Sequence, residues 1–326
     1  MNPVSPGPAS ARHVIALCGG VGGAKLAFGL ARVVAEPDLT VVVNTGDDFE
    51  HLGLHVSPDI DTVLYTLAGL SDRVRGWGLA GETWNFLESL RRLGGPDWFQ
   101  IGDHDMAMHV ERSWRLRSGE SLSQITAHMA RALGVERRIV PMSDDPVRTI
   151  VETADGPLAF QRYFVEAQAR PVAHAVRFEG ATQARPSADF ARALQRDDVA
   201  AVIICPSNPY LSVDPILSVP GVRDRLAGLG APIVAVSPII AGRALKGPAA
   251  KLMRELGAEP GVLAVAEHYR GLLNGLVIDE ADAAAADGLR RLGVEPLVAK
   301  TIMGPDEDRE RLAHQTLAFA AALAGR

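Results

Sequence analysis

Apolar and polar positions along the chain follow two periods. His13–Cys18 (His-Val-Ile-Ala-Leu-Cys) is a short apolar run, and Leu39–Asn44 (Leu-Thr-Val-Val-Val-Asn) is a β-branched one; both predict buried strands. A glycine cluster separates the first from a helix-compatible stretch, Ala24–Ala35. The second is followed by Asp59–Leu70, where Ile60, Val63, Leu64 and Leu67 share one helical face. Strand, glycine turn, helix, strand, helix predicts a parallel α/β sheet. The rhythm resumes late: Val199–Cys205, Pro232–Val236, Val262–Ala266 and Leu276–Ile278 predict strands. Helices are predicted around Ala249–Leu256, Ala281–Leu292 and Asp306–Leu323.

The middle of the chain has another pattern. Glu82–Leu93 and Ser121–Leu133 are helical in period, with Ser121 or Ser123 as the cap of the second. A Trp- and Arg-bearing stretch around Trp98 and Trp114 lies between them. Val147–Glu152 and Leu158–Val165 predict strands joined by the Asp155-Gly156-Pro157 turn. Residues 71–195 are therefore expected to be an elaboration inserted into a sheet domain built from 13–70 and 196–326. The proline-punctuated residues 1–12 are expected to be a flexible tail.

Composition narrows the function classes. The chain has 326 residues, 47% hydrophobic and 22% charged, as a globular protein does. Its net charge of −6 argues against nucleic acid as the main partner, because backbone binding needs a concentrated basic surface. No apolar stretch reaches the ~18–20 residues of a membrane span, and no signal-peptide pattern opens the chain, so a cytoplasmic, membrane-free location is expected. Two cysteines, Cys18 and Cys205, are too few for a disulfide framework and are expected to be buried strand ends.

Four segments carry candidate chemistry. The loop Cys18-Gly19-Gly20-Val21-Gly22-Gly23-Ala24-Lys25 follows a strand and opens a helix, so backbone amides converge as a phosphate cradle. It lacks the Gly-Lys-Ser/Thr ending of a P-loop and the third glycine of a dinucleotide fingerprint; a tight strand-to-helix turn is the plain alternative. The second segment is Asn44-Thr45-Gly46-Asp47-Asp48-Phe49-Glu50, continued by Ser57-Pro58-Asp59-Ile60-Asp61-Thr62. Carboxylates gathered at a strand end repel one another by ~1–4 kcal/mol per pair, and a hard cation such as Mg²⁺ relieves them while binding phosphate. A solvated acidic loop, with Asp59 or Ser57 capping the next helix, is the alternative. The third and fourth segments are Cys205-Pro206-Ser207-Asn208-Pro209-Tyr210 and Ser237-Pro238-Ile239-Ile240-Ala241-Gly242, the latter leading to Arg243 and Lys246. Their prolines stiffen loops that present Ser207, Asn208, Ser237 and Lys246. Asp103-His104-Asp105, His109 and Asp144-Asp145 are weaker signals without metal-ligand spacing, and His51 and His55 read as solvated loop residues.

Taken in order, GGVGGAK, VVNTGDDF, SPDIDTVLYTL, GWG…ETW, IGDHD…H, PMSDDPV, PSNPYLSV and VSPIIAG…KGPAAKLM resemble the 2-phospho-L-lactate transferase family of deazaflavin coenzyme (F420) biosynthesis, over nearly the whole chain from His13. The resemblance implies a Rossmann-like, mostly parallel α/β sheet flanked by helices, with an inserted largely helical region, a homodimer and Mg²⁺. It implies transfer of a phospho-hydroxyacyl group (2-phospholactyl, or an enolpyruvyl or glyceryl analogue) from a guanosine-diphosphate-activated donor to the terminal ribityl hydroxyl of the deazaflavin Fo, releasing GMP. Carried over residue by residue, Gly19, Gly20, Gly22, Gly23 and Lys25 hold nucleotide phosphates, with Ser207, Asn208, Ser237 and Lys246 on the guanine-nucleotide side. Asp47, Asp48, Asp59 and Asp61 bind Mg²⁺, with Asp48 and Asp61 catalytic. Asp61 contacts Fo, Gln100 stands where the family often has a basic Fo contact, and Trp77 and Trp84 cover the deazaflavin ring. The family of gluconeogenesis factors, nucleotide-sugar-binding regulators, shares the glycine loop and second-strand aspartates and is the competing reading. It differs where this chain has Ser57–Thr62.

Overall fold

A computed structural model describes residues 12–325 of the protein; the expected tail lies, except for Arg12, outside the described residues. Seven strands form one sheet, each pair parallel: β1 (His13–Cys18), β2 (Leu39–Val43), β3 (Arg138–Pro141), β4 (Val199–Ile204), β5 (Ile233–Val236), β6 (Gly275–Asp279) and β7 (Glu295–Ala299). Their spatial order is β7-β6-β5-β4-β1-β2-β3. Order therefore reverses between β1 and β4, and a doubly wound sheet binds ligands in the crevice beyond the carboxyl ends of its strands there.

Alternation along the strands divides the core. Val14, Ala16 and Cys18 of β1 join Val41, Val43, Ala201, Ile203 and Val234 on one face. Ile15 and Leu17 join Val42, Val202, Ile204 and Ile233 on the other. Two of the helices that cover the first face pack against each other. They are α1 (Gly20–Val33) and the last helix, α7, whose range is Asp306–Ala324. They approach closely because α1 is rich in small residues there: a Cβ on Gly29 would collide with the Arg309 carbonyl and stand 3.2 Å from Ala313 Cβ.

Between β2 and β3 come α2 (Pro58–Leu67), α3 (Asn85–Arg92), α4 (Asp103–Arg117) and α5 (Leu122–Ala132). Ser121 caps α5 through a reciprocal box with Gln124. A small antiparallel sheet follows, with Arg148–Thr153 between Gly156–Ala159 and Ala173–Glu179.

Three expectations need correction. The strand placed at Leu158–Val165 stops at Ala159, and Arg162–Glu166 winds into a wide π-type turn. The run Val262–Ala266 is helical, within α6 (Val262–His268); Val262, Val265 and Ala266 are buried while Leu263 is 41% exposed, a helical period hidden in an apolar string. Finally, β3 lies inside the stretch 71–195, yet it pairs with β2 as an edge of the main sheet.

Candidate active site

A cleft of about 940 Å³ opens at the β1/β4 reversal. Its floor is made by the turns after these strands. Gly19 is extended, and α1 begins at Gly20, so the glycines form the first helical turn rather than a loop before it. Gly20 needs its lack of a side chain because its φ is +65°. A Cβ on Gly22 would stand 2.5 Å from the Pro206 carbonyl oxygen, so glycine lets the two turns touch. The Ser207 hydroxyl staples them: it accepts from the Gly19 amide (3.1 Å) and donates to the Gly19 carbonyl (2.9 Å). The Gly20 amide donates to Asp59 Oδ1 at 2.7 Å. Val21 and Gly22 also line the cleft, and their amides lack an intrahelical acceptor by position.

Asn44 organises the turn after β2. Its Oδ1 accepts from the Gly46 amide (2.8 Å) and its Nδ2 donates to Asp59 Oδ2 (2.9 Å). Asp59 is thereby held on both oxygens. Burial nonetheless pushes its carboxyl up to about 6, with the Asn44 and Gly20 bonds working against that rise. Asp47 is raised well above the usual carboxylate range, first by burial and then by the Asp59 charge. Asp48 lies behind the cleft lining, with its Oδ2 accepting from Ser57 (2.8 Å) and 3.0 Å from His55 Nε2. Two oxygens in this group, Asp47 Oδ1 and Asp48 Oδ1, are buried with no hydrogen-bond partner. An oxygen-only, multiply anionic set with free lone pairs suits a hard divalent cation.

Asp61 is bound differently. Arg112 of α4, 1% exposed, grips both Asp61 oxygens. Arg112 also stands 3.4 Å from His109 Nδ1, and His109 Nε2 stands 3.3 Å from Asp105 Oδ2. Tyr65 donates its hydroxyl to the other Asp105 oxygen. Burial works most strongly against the charge of Arg112, but the charge and hydrogen bonds of Asp61, with Asp48 and Tyr65, together hold the guanidinium above its ordinary range. Burial raises Asp61 in turn, and Arg112 offsets that rise. Donor atoms of Asp61, Asp105 and His109 lie within 4.8 Å of one another. Arg112 fills this cluster, and moving Asp61 onto a cation would leave a buried guanidinium unpaired, a loss of about 3–5 kcal/mol.

Of the α4 residues, Asp105 and His109 registered in the sequence only as weak signals, and Arg112 did not register at all. Their spacing of four and three is a helical stripe, but a polar one, which a search for apolar periodicity does not register. His51 and His55 are likewise not solvated: His51 is 5% exposed and meets Trp98 edge-on at 5.2 Å.

Part of the cleft lining is aromatic. Trp77, Trp98, Phe99, Phe160 and Phe164 contribute to it, and the exposed Gln100 lines the cleft beside Phe99. Phe160 and Phe164 stack at 5.4 Å, and Arg162 covers Trp98 at 4.1 Å. Trp84 is outside the lining but backs Trp77 edge-on at 6.4 Å, with Arg75 over both rings. Ser237, Asn208, Lys25 and Lys246 line the cleft too. The Ser237 hydroxyl closes its own turn with Ile239, and Asn208 Oδ1 caps the Tyr210 and Leu211 amides.

A family model described as 2-phospho-L-lactate transferase CofD matches residues 14–301. The chain belongs to that family. A "2-phospho-L-lactate transferase" of Methanopyrus kandleri is 41% identical over 313 residues, covering 95% of this chain and 98% of that protein. A "phosphoenolpyruvate transferase" of Streptomyces coelicolor is 39% identical over 314 residues, covering 94% and 98%. A Bacillus halodurans protein of known structure superposes with a TM-score of 0.62 at 17% identity, covering 94% of this chain and all of that one, a likeness of fold. The cleft of this 2-phospho-L-lactate transferase family member thus joins a glycine-built amide cradle, a set of buried carboxylates and an aromatic wall. No helix among the described residues is long and apolar enough to cross a membrane.

Proposed function

We propose that the protein moves a phospho-hydroxyacyl group from a GMP-activated donor to the terminal ribityl hydroxyl of the deazaflavin Fo, in the biosynthesis of coenzyme F420. The hydroxyl oxygen bonds to the phosphorus that carries the acid. The bond from that phosphorus to the bridging oxygen breaks, GMP leaves with that oxygen, and the hydroxyl proton is released. The observation that carries this reading is the combination, at one cleft, of a buried carboxylate set with two oxygens that lack a hydrogen-bond partner and an aromatic lining. The wall suits a flat heteroaromatic ring by stacking, and Trp77, backed by Trp84, is the indole offered to it. The Val21 and Gly22 amides and Lys25 receive donor phosphate, with Ser207 and Ser237 shaping the turns beside it.

Asp47, Asp48 and Asp59 hold Mg²⁺ in this reading, while Asp61 is kept by Arg112 and fixes the wall beneath Thr62 and Tyr65. Bound there, Mg²⁺ neutralises charge on the phosphates and so lowers the barrier to nucleophilic approach. The chain's own contribution is placement: Asn44 and Gly20 lock Asp59, and the Ser207 staple fixes the cradle against β4.

The test is incubation of the purified protein with Fo, Mg²⁺ and, in competition, lactyl, enolpyruvyl and glyceryl donors carrying guanosine diphosphate. The expected outcome is a deazaflavin product heavier by one phospho-acid, with stoichiometric GMP. Nucleotide binding without any product would refute transfer and favour a regulator.

A further inference from the structure

A side pocket of about 190 Å³ opens beside the cleft. At ~30 Å³ per water it holds about six waters, room for a small anion and below the roughly 300–1,000 Å³ that encloses larger ligands. Lys25, Arg73, Lys246 and Arg309 line it, and Thr62 and Tyr65 belong to both it and the cleft. Its countercharges are few. Asp72 lines the pocket but is held by Arg75 through hydrogen bonds of 3.2 and 2.9 Å. Asp306 is shared between Arg73 (3.0 Å) and Arg309 (3.3 Å). Lys25 meets the Met303 carbonyl (2.8 Å) and Lys246 the Gly76 carbonyl (3.4 Å), neither of them charged. Four cations thus share one carboxylate, Asp306, and Lys25 and Lys246 meet only neutral carbonyls. Arg309 is 4% exposed, and its Nε is buried without a partner. Burial, and then the Arg309, Lys246 and Arg73 charges, press the Lys25 ammonium below its ordinary range. Like charges gathered at a partly desolvated point, with an unanswered donor among them, are relieved by an anion.

We propose that this side pocket is an anion subsite, and that it takes the carboxylate of the transferred phospho-acid. The second half rests on the proposed function. The donor's acid carries a carboxylate whichever acid it is, and the Asp47, Asp59 and Asp61 end of the cleft repels it. Lys25 and Lys246 line both cleft and side pocket, whereas Arg73 and Arg309 line the side pocket alone, so phosphate lies toward the amide cradle while the carboxylate turns toward Arg73 and Arg309. Arg73 and Arg309 become the residues that distinguish a phospho-acid from a phosphate without a carboxylate.

The test is a ligand-observed NMR titration of the full chain with three probes: phosphoenolpyruvate, inorganic phosphate and GMP. Arg73→Gln alters a half-exposed side chain and keeps the fold. Loss of one charge-assisted contact is expected to weaken phosphoenolpyruvate about tenfold in Arg73→Gln, while GMP binding stays as in the wild type. Unchanged phosphoenolpyruvate binding in Arg73→Gln, or none to the wild type, would overturn the subsite. An equal loss for inorganic phosphate would overturn its assignment to a carboxylate. Specific phosphoenolpyruvate binding by a protein that makes no deazaflavin product would keep the subsite and refute the transfer reaction.

Discussion

Replacing Arg112 by Met puts the buried network to its hardest test. Arg112 and Asp61 are 1% and 5% exposed, and the guanidinium covers both carboxylate oxygens. Methionine fills much of the volume but returns no charge, so Asp61 is left buried and unpaired, a loss of about 3–5 kcal/mol. Burial already raises Asp61 against the pull of Arg112; without that pull its native-state value climbs further. A folded value above the unfolded one contributes stability that is full below the unfolded value and lost as pH rises through the folded one. The deficit of the variant should therefore be small near pH 5 and grow toward pH 8, by up to ~1.4 kcal/mol per pH unit. Removing the stranded charge with Asp61→Asn in the same chain should restore most of the loss. Urea unfolding followed by circular dichroism at the two pH values reads both effects. A deficit under ~1 kcal/mol near pH 8, or a double variant as weak as the single one, would show that the pair is not the buried, mutually dependent unit described.

Asp47→Asn removes an unpartnered buried carboxylate, so the metal-free protein should be as stable as the wild type or more so, while its thermal protection by Mg²⁺ disappears; retained protection would free Asp47 from the cation site. Asp59, pushed up to about 6, takes a proton in the folded state before it does so unfolded. Its contribution is thus full below about pH 4 and lost as pH rises through about 6, so Asp59→Asn should flatten the fall in metal-free melting temperature over that window, and an unchanged profile would contradict the shift. Gly29→Ala drives a methyl against the Arg309 carbonyl and should cost about 1–3 kcal/mol by calorimetry, where an exposed helical glycine would gain; a stabilised variant would mean that α1 and α7 are not in contact there.

The strands buried on both faces were legible because burial writes itself as an unbroken apolar run: β1, β2, β4, β5 and β6 all read that way. The edges were not. In β3 (Arg-Ile-Val-Pro) and β7 (Glu-Pro-Leu-Val-Ala) polar and proline positions interrupt the run, as an edge strand tolerates. The same logic divides the site. The glycine loop and the Asp47–Asp61 segment stood out because their residue types have few other uses at strand ends. The partners of Asp61 did not, because Asp105, His109 and Arg112 come from a helix about 45 to 50 residues downstream and become a cluster only when α4 packs against the Leu54–Val56 segment just before α2. The side pocket is less legible still, since Lys25, Arg73, Lys246 and Arg309 span almost the whole chain.

The position of β1 in the middle of the sheet has a consequence for birth on the ribosome. Among the seven sheet strands it comes first in sequence, yet the partner on its β4 side lies some 185 residues later, and the helix that covers β4 on the α1 face, α7, follows all seven strands. Until that distant sequence emerges, β1 waits with an open edge, the kind of exposure that invites mispairing. A chain arrested before β4 would carry the glycine cradle with nothing to brace it.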